Sequence, residues 1–447
     1  GKVMARAKKE TALTPEERLQ AALVPDWEWP HKLPENWCWT TVGAINQYVG
    51  ISADPTKAKN ETFELYSVPS SADNYPEIVL GTDIGSTKQA VKKGDVLLCK
   101  INPRINRVWK VSKYTDHSLL ASSEWIVVRN SRLISNYLMW CFRSPYFRGY
   151  MLSNVSGVGG SLMRAQPKFV QGYPVPVPPL AEQQRIVDRI ESLFAKLDEA
   201  KEKTQTVVDS FETRKSAILH KAFTGELTAK WREEHGVSID NWQTTRFDSV
   251  AAIRSNLVDP AEYQSFPHIA PDNIEKKTGV LLEYHTIAED GVTSGKHRFY
   301  SGQILYSKIR PYLSKAVVVD FDGLCSADMY PIEAYQNARC LWYYMLSDEF
   351  LLQASTAGSR SVLPKINQKE LSALTVHLPT NDREQEEIAR ILDELFDKEQ
   401  QTKEAAEIVL DQIELMKKTI LARAFRGELG TNDPNEESAV ELLKQIF

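Results

Sequence analysis

A chain of 447 residues, 42% hydrophobic and 25% charged, has ordinary soluble composition and enough apolar residues for two substantial cores. No apolar run approaches a membrane span and the N-terminus lacks the hydrophobic stretch of a signal peptide, which argues against a membrane or secreted protein. The net charge of -5 argues against a uniformly basic nucleic-acid binder, and five cysteines without a CxxC pair read as reduced cytosolic thiols.

In chain order, residues 1–30 form a basic arm and a short helix. Thr14-Pro15-Glu16-Glu17 supplies its cap, a first-turn proline and Glu three residues past the cap. A globular domain over 31–178 begins at Leu33-Pro34-Glu35-Asn36-Trp37-Cys38-Trp39. Within it, Val96 to Cys99 and Trp125 to Val128 are strand-like, and Tyr137 to Phe142 reads as a short helix. A long helix follows over 179–230, behind Pro178-Pro179. Its apolar or small residues Ile186, Ile190, Leu193, Leu197, Ala200, Thr204, Val207, Phe211 and Ile218 step as a heptad seam, and Gly225 sits where a left-handed C-cap belongs.

A second domain over 231–379 opens on Asn241-Trp242-Gln243-Thr244, with strand-like runs Gln303 to Tyr306 and Ala316 to Val319 and a short helix Cys340 to Leu346. A second long helix follows over 380–430. Asn381 stands three residues before Glu384 as in a capping box, and the seam is Ile388, Leu392, Leu395, Thr402, Ala406, Val409, Ile413, Met416 and Ile420, closed by Gly427. Residues 431–447 are a tail containing a helix.

The chain contains itself twice. At an offset of 202 residues, Glu182, Gln183, Ile186, Leu193-Phe194, Lys215 and Ile218-Leu219 return as Glu384, Gln385, Ile388, Leu395-Phe396, Lys417 and Ile420-Leu421. The copies end on Ala222-Phe223-x-Gly225-Glu226-Leu227 and Ala424-Phe425-x-Gly427-Glu428-Leu429. The domains repeat more loosely: Gly94 to Pro103 is answered by Gly302 to Pro311, and Ser123-Glu124-Trp125 by Ala327-Asp328-Met329. The fold class is therefore α+β: two similar globular domains separated by two long helices, an internal repeat with a pseudo-two-fold axis. Each rod measures ~60 Å, and the two seams are expected to pack on each other as an antiparallel coiled coil; the alternative is that each packs on its neighbouring domain.

No catalytic pattern is present: no GxxxxGK[ST], no HExxH, no zinc spacing and no adenine-methylase signature. What remains is binding chemistry. Residues 31–172 hold 17 Lys and Arg against 10 acids, whereas 240–372 hold 13 against 16, so the second domain must rely on local clusters. Lys100, Arg104, Arg107 and Lys110 gather around Trp109 in the first domain, and Lys296, Arg298, Lys308 and Arg310 stand with Phe299, Tyr300 and Tyr312 in the second. Gly-Ser loops add Ser161, Arg164 and Lys168, and Ser359, Arg360 and Lys365. Such residues neutralise phosphates or read base edges, although a solvated strand face or a plain turn has the same composition. A DNA-binding regulator acting alone and a coiled-coil scaffold without a nucleic-acid role are the alternatives to a DNA-reading subunit.

Val175-Pro176-Val177-Pro178-Pro179-Leu180-Ala181-Glu182-Gln183-Gln184-Arg185-Ile186, the later Arg214 to Leu219 and Gly225 to Trp231, and the duplicated plan resemble the specificity subunits of type I restriction-modification enzymes. The resemblance covers nearly the whole chain; the second helix departs from it, with Leu378-Pro379-Thr380-Asn381 before its start. It implies a non-catalytic bacterial or archaeal subunit, cytoplasmic and on double-stranded DNA. Each domain would read half of a bipartite, asymmetric site. The helices would set the spacing and dock two modification subunits, which methylate adenine, and restriction/translocase subunits would join for cleavage. No cofactor would be bound by this chain: S-adenosylmethionine would sit on the modification subunits, and ATP and Mg on the restriction subunit. A rod of ~60 Å spans ~18 base pairs at ~3.4 Å each, consistent with half-sites separated by unread bases.

Overall fold

The computed structural model describes residues 12–157, 163–358 and 362–447. The chain forms two compact units, Gly1–Lys203 with Val409–Phe447, and Thr204–Ile408, so each unit holds one domain and part of both rods. The expected strands and short helices are present at Val96–Cys99, Trp125–Val128, Ile304–Ser307, Ala316–Val318, Ser135–Arg143 and Ala338–Met345.

In the first unit the helix Pro15–Ala22 carries the full capping box, Glu17 N donating to Thr14 Oγ1 and Thr14 N to the Glu17 carboxylate. Strand Cys38–Thr41 pairs antiparallel with Pro174–Val177, so the first and last strands of the domain lie together. Val96–Cys99 runs between Val108–Lys110 and Trp125–Val128. A five-stranded sheet has the order Ser52–Ala53, Lys88–Ala90, Ser118–Ala121, Thr62–Tyr66, Glu77–Leu80, with one parallel pair, Thr62–Tyr66 beside Ser118–Ala121.

The second unit repeats that plan. Trp242–Arg246 pairs with Thr375–Pro379, again joining the first and last strands. A four-stranded sheet runs Ala251–Ile253, Met329–Ala334, Ile304–Ser307, Ala316–Val318. The five-stranded sheet runs Leu257–Val258, Lys296–Phe299, Gly323–Cys325, Pro267–Ile269, His285–Thr286, and its parallel pair occupies the same place in the order.

The rods pair antiparallel within each unit. In the first, Lys201 meets Glu414 at 2.6 Å and Lys417 meets Asp198, so partner numbers fall on one rod as they rise on the other. In the second, Arg214 meets Glu399 at 2.7 Å and the Lys215 ammonium lies 5.4 Å from the Phe396 ring centre. The repeat makes this reciprocal: Lys417 lies 5.4 Å from the Phe194 ring centre.

Several expectations need correction. The first rod is not one helix over 179–230: Leu180–Asp209 ends at Ser210 and Phe211–Phe223 follows, with Ser210 Oγ donating back to Thr206 O at 2.6 Å. This back-bonding draws on a carbonyl of the helix ladder, a recognised cause of bending. The second rod, Asp382–Ala424, is uninterrupted. In the tail only Ala439–Lys444 is helical, with Ala439 and Leu443 fully buried.

The seam also shifts. Ile186, Ile190, Phe211, Ile388, Leu392 and Ile413 are buried, and Leu193, Leu197, Val207, Ile218, Leu395 and Ile420 are partly so, but Val409 and Met416 are 39% and 52% exposed. Leu410 and Lys417, one residue later, take their places at intermediate burial. A lysine can hold an inward position because its ammonium lies over the Phe194 ring and meets the Asp198 carboxylate. The first turns of each rod are domain core as well as seam: Ile186 and Ile190 pack with Tyr137 and Leu138, and Ile388 and Leu392 with Leu341 and Tyr344.

Candidate nucleic-acid interface

Both domains build the same turn from different side chains. In the first, the chain leaves Val96–Cys99, passes Lys100 and Ile101, turns left-handed at Asn102 (φ 45°), and makes a short helical turn over Pro103–Ile105 before Asn106 (φ 53°). In the second it leaves Ile304–Ser307, turns at Arg310 (φ 47°), makes the helical turn Pro311–Leu313 and leaves at Ser314 (φ 46°). The proline disfavours the right-handed helical region for the residue before it but by itself favours extended backbone there, so the left-handed conformation is set by the bonds that hold the turn. Asparagine tolerates the left-handed region, whereas arginine there is strained and must be held by its surroundings.

Backbone bonds hold each turn, and four of them correspond as follows. Lys100 N donates to Glu124 O and Lys308 N to Asp328 O, both at 2.9 Å. Asn102 N donates to Met163 O and Arg310 N to Pro364 O, both at 2.8 Å. Ala165 N donates to Lys100 O at 2.8 Å and Ile366 N to Lys308 O at 2.9 Å. Ile105 N closes on Asn102 O at 3.1 Å and Leu313 N on Arg310 O at 2.8 Å. Each turn is thus stitched to the segment arriving from the Gly-Ser loop, with Ile101 bridged to Arg164 and Ile309 to Lys365.

On this frame the exposed side chains differ. Arg104 and Arg310 are exposed and, among the described residues, stand in no ion pair. They occupy different slots, because Arg310 corresponds to Asn102 and Arg104 to the exposed Tyr312. Lys100 and Arg107 are half-buried beside the first turn. Arg164 pairs with Glu124, while Lys308 and Lys365 lie 4.0 and 3.6 Å from the Asp328 carboxylate.

The remaining sequence candidates separate from this cluster. Lys110 is half-buried and donates to Asn136 Oδ1 at 2.5 Å. Lys168 is exposed on the short helix Pro167–Val170, its ammonium 4.9 Å from the Phe169 ring centre. Lys296 is only 6% exposed and donates to Ser294 Oγ at 2.7 Å, so it is a buried strand residue and not a surface cation. Arg298 is half-buried among Tyr263, Phe266 and Tyr300, 4.9 Å from the Tyr300 ring centre, with Nε buried and unpartnered among the described residues. Trp109, expected amid surface cations, is buried against Tyr66 and Trp125. Phe299 is buried too. Ser161, Ser359 and Arg360 lie outside the described residues.

A second duplicated feature went unassigned in the sequence: the buried Glu-Gln pair that starts each rod. Glu182 accepts from Trp37 Nε1 at 2.8 Å, Asn432 Nδ2 at 2.9 Å and Thr431 Oγ1 at 3.2 Å. Glu384 accepts from Trp242 Nε1 at 2.9 Å, Asn241 Nδ2 at 2.9 Å, Thr228 Oγ1 at 2.8 Å and Arg232 at 2.7 Å. Burial pushes the Glu384 carboxyl up, but these donors outweigh it and hold it below the usual carboxylate range. The Asn381 cap is consequently half a box: Asn381 Oδ1 accepts from Glu384 N at 3.1 Å, while the Glu384 side chain serves these other donors. Gln183 and Gln385 accept from Ile134 N and Asn337 N at the starts of corresponding domain helices. The readable signal was an identical polar pair returning at the foot of an otherwise amphipathic helix.

Residues 239–409 match the family described as the type I restriction modification DNA specificity domain. The chain is 35% identical over 370 residues to the type I restriction enzyme EcoDI specificity subunit of Escherichia coli, covering 76% of this chain and 82% of that protein. It belongs to the type I specificity subunits. The EcoKI specificity subunit of Escherichia coli strain K12 is 24% identical over 72% of this chain and 73% of its own. Two solved structures share the fold at 20% identity, each covering 90% of this chain and all of the other. One was solved in work on complex assembly and conformational transition of the type I R-M system, at TM-score 0.72. The other is the HsdS subunit of Thermoanaerobacter tengcongensis, at 0.61. For this specificity subunit no group of His, Cys, Asp and Glu among the described residues could hold a metal ion, and no described helix is long and apolar enough to cross a membrane.

Proposed function

We propose that this specificity subunit selects DNA for a type I restriction-modification enzyme by placing its two turns, Lys100 to Asn106 and Lys308 to Ser314, against the two halves of a split, asymmetric site. The observation that carries the reading is the twin turn: a shared backbone frame presents Arg104 in one domain and Arg310 in the other, from different slots. An exposed arginine on a rigid turn can meet phosphate or pair bidentately with guanine. Different slots on one frame are what two unlike half-sites require.

The chemistry is assigned to other subunits. Two modification subunits holding S-adenosylmethionine would dock on the rods and methylate adenine, and restriction subunits would bring ATP and Mg. The rods would set the separation of the half-sites; the second alone, at 43 residues, is ~65 Å long. Methylation mapping in cells carrying this chain with its modification subunits tests the reading. The expected result is a bipartite, non-palindromic motif; Arg104→Ala should relax or weaken one half and Arg310→Ala the other. An uninterrupted or palindromic motif, or both substitutions acting on one half, would overturn it. Removing two heptads' worth of paired rod, one heptad from each helix, should shorten the spacer and leave both halves intact.

A further inference from the structure

Beside each turn stands a carboxylate that phosphate binding alone does not call for. Glu124 and Asp328 follow corresponding serines, Ser122 and Ser326, in the loosely matched stretches of the repeat. Each gives its backbone carbonyl to the turn lysine at 2.9 Å, and each turns its side chain to the cation opposite the turn's isoleucine: Arg164 with Glu124, Lys365 with Asp328 at 3.6 Å. Lys308 also comes within 4.0 Å of Asp328. Both charges are preserved between the copies, Glu with Arg in one and Asp with Lys in the other, although neither residue is identical.

Stability does not account for it. The turn is held by backbone bonds, none of which uses the carboxylate, and an ion pair this accessible contributes about 0–1 kcal/mol. On a surface meant for phosphates, meanwhile, an acid opposes binding. Non-specific attraction to DNA is almost wholly phosphate neutralisation, so a carboxylate that occupies a cation and adds repulsion weakens it most. Specific binding suffers less, because base-edge bonds form there in addition and fix the arginines.

We infer that Glu124 and Asp328 are electrostatic gates that hold Arg164 and Lys365 away from phosphates, lowering affinity for non-cognate DNA and so raising discrimination. This rests on the reading that the turns meet DNA. It differs from a direct base-reading role, in which the same carboxylates would accept from a cytosine or adenine amino group.

The test uses the full chain assembled with its modification subunits. Binding is measured across a salt series to a duplex carrying the mapped site and to the same duplex with both halves scrambled. Glu124→Gln and Asp328→Asn, which keep shape and remove charge, should each raise affinity for scrambled DNA by about 3- to 10-fold and steepen its log–log salt slope by about one, while cognate affinity moves by less than about twofold. Glu124→Asp and Asp328→Glu should keep the parental ratio. A selective fall in cognate affinity would make the acids base readers, and parallel changes on both duplexes, or none, would make them structural or idle; each result overturns the gate. Arg104→Ala and Arg310→Ala separate the two claims. If they weaken cognate binding while the charge-neutral variants leave the ratio unchanged, the gate alone fails; if they too are silent, the turns are not the interface.

Discussion

The two rod starts and the two turns are both duplicated, yet they diverge to different degrees. At the rod starts the acceptor and the kinds of donor are kept and one cation is added: Glu182 is met by Trp37, Thr431 and Asn432, and Glu384 by Trp242, Thr228, Asn241 and the cation Arg232. At the turns the backbone is invariant and the exposed side chains change. A buried carboxylate is expensive to leave unpaired, so burial keeps its identity fixed. An exposed side chain on a frame held by backbone bonds can be exchanged freely, which suits a surface whose task is to discriminate.

The largest way to break this comparison is at Glu384. Glu384→Ala leaves Arg232, only 10% exposed in its side chain, as an uncompensated buried charge, and should destabilise the second unit by about 3–5 kcal/mol in chemical denaturation. Leu443→Ala, in the tail helix whose segment supplies donors to Glu182, should cost the first unit about 2–5 kcal/mol, read as lost hydrogen-exchange protection there. Glu182→Ala strands only neutral donors and should cost about 1–3 kcal/mol. A loss at Glu182 equal to that at Glu384 would remove the distinction between the two anchors.

Acid sharpens the same contrast. The folded Glu384 carboxyl lies below its unfolded value, so its stabilisation is complete above the unfolded range near ~4.3 and is lost as pH falls through the depressed value. Glu384→Gln should therefore flatten the acid-side decline in stability of the second unit. An unaltered decline would place the acid sensitivity elsewhere. The smallest effect tests the seam: Lys417→Ala should cost about 1 kcal/mol through the lost contact with the Phe194 ring and the lost Asp198 pair, whereas Met416→Ala should stay within about 0.5 kcal/mol. The reverse ranking would restore the register expected from apolar periodicity.

Much of the architecture is legible in the residues alone. The offset of 202 announces a duplicated plan, Thr14 to Glu17 and the glycines after the rods mark helix ends, and the answering stretches Gly94 to Pro103 and Gly302 to Pro311 locate the turns. These are local properties: capping, left-handed backbone and pre-proline restriction act over a few residues, so they survive being read without partners. Only tertiary structure decided that Lys417 and not Met416 faces the opposite rod, that Lys296 and Trp109 lie inside, and that Glu124 and Asp328 each hold a cation distant in sequence. A long amphipathic side chain can be buried by its stem or solvated by its head, and which occurs depends on what stands across from it, which periodicity along one helix or strand does not carry.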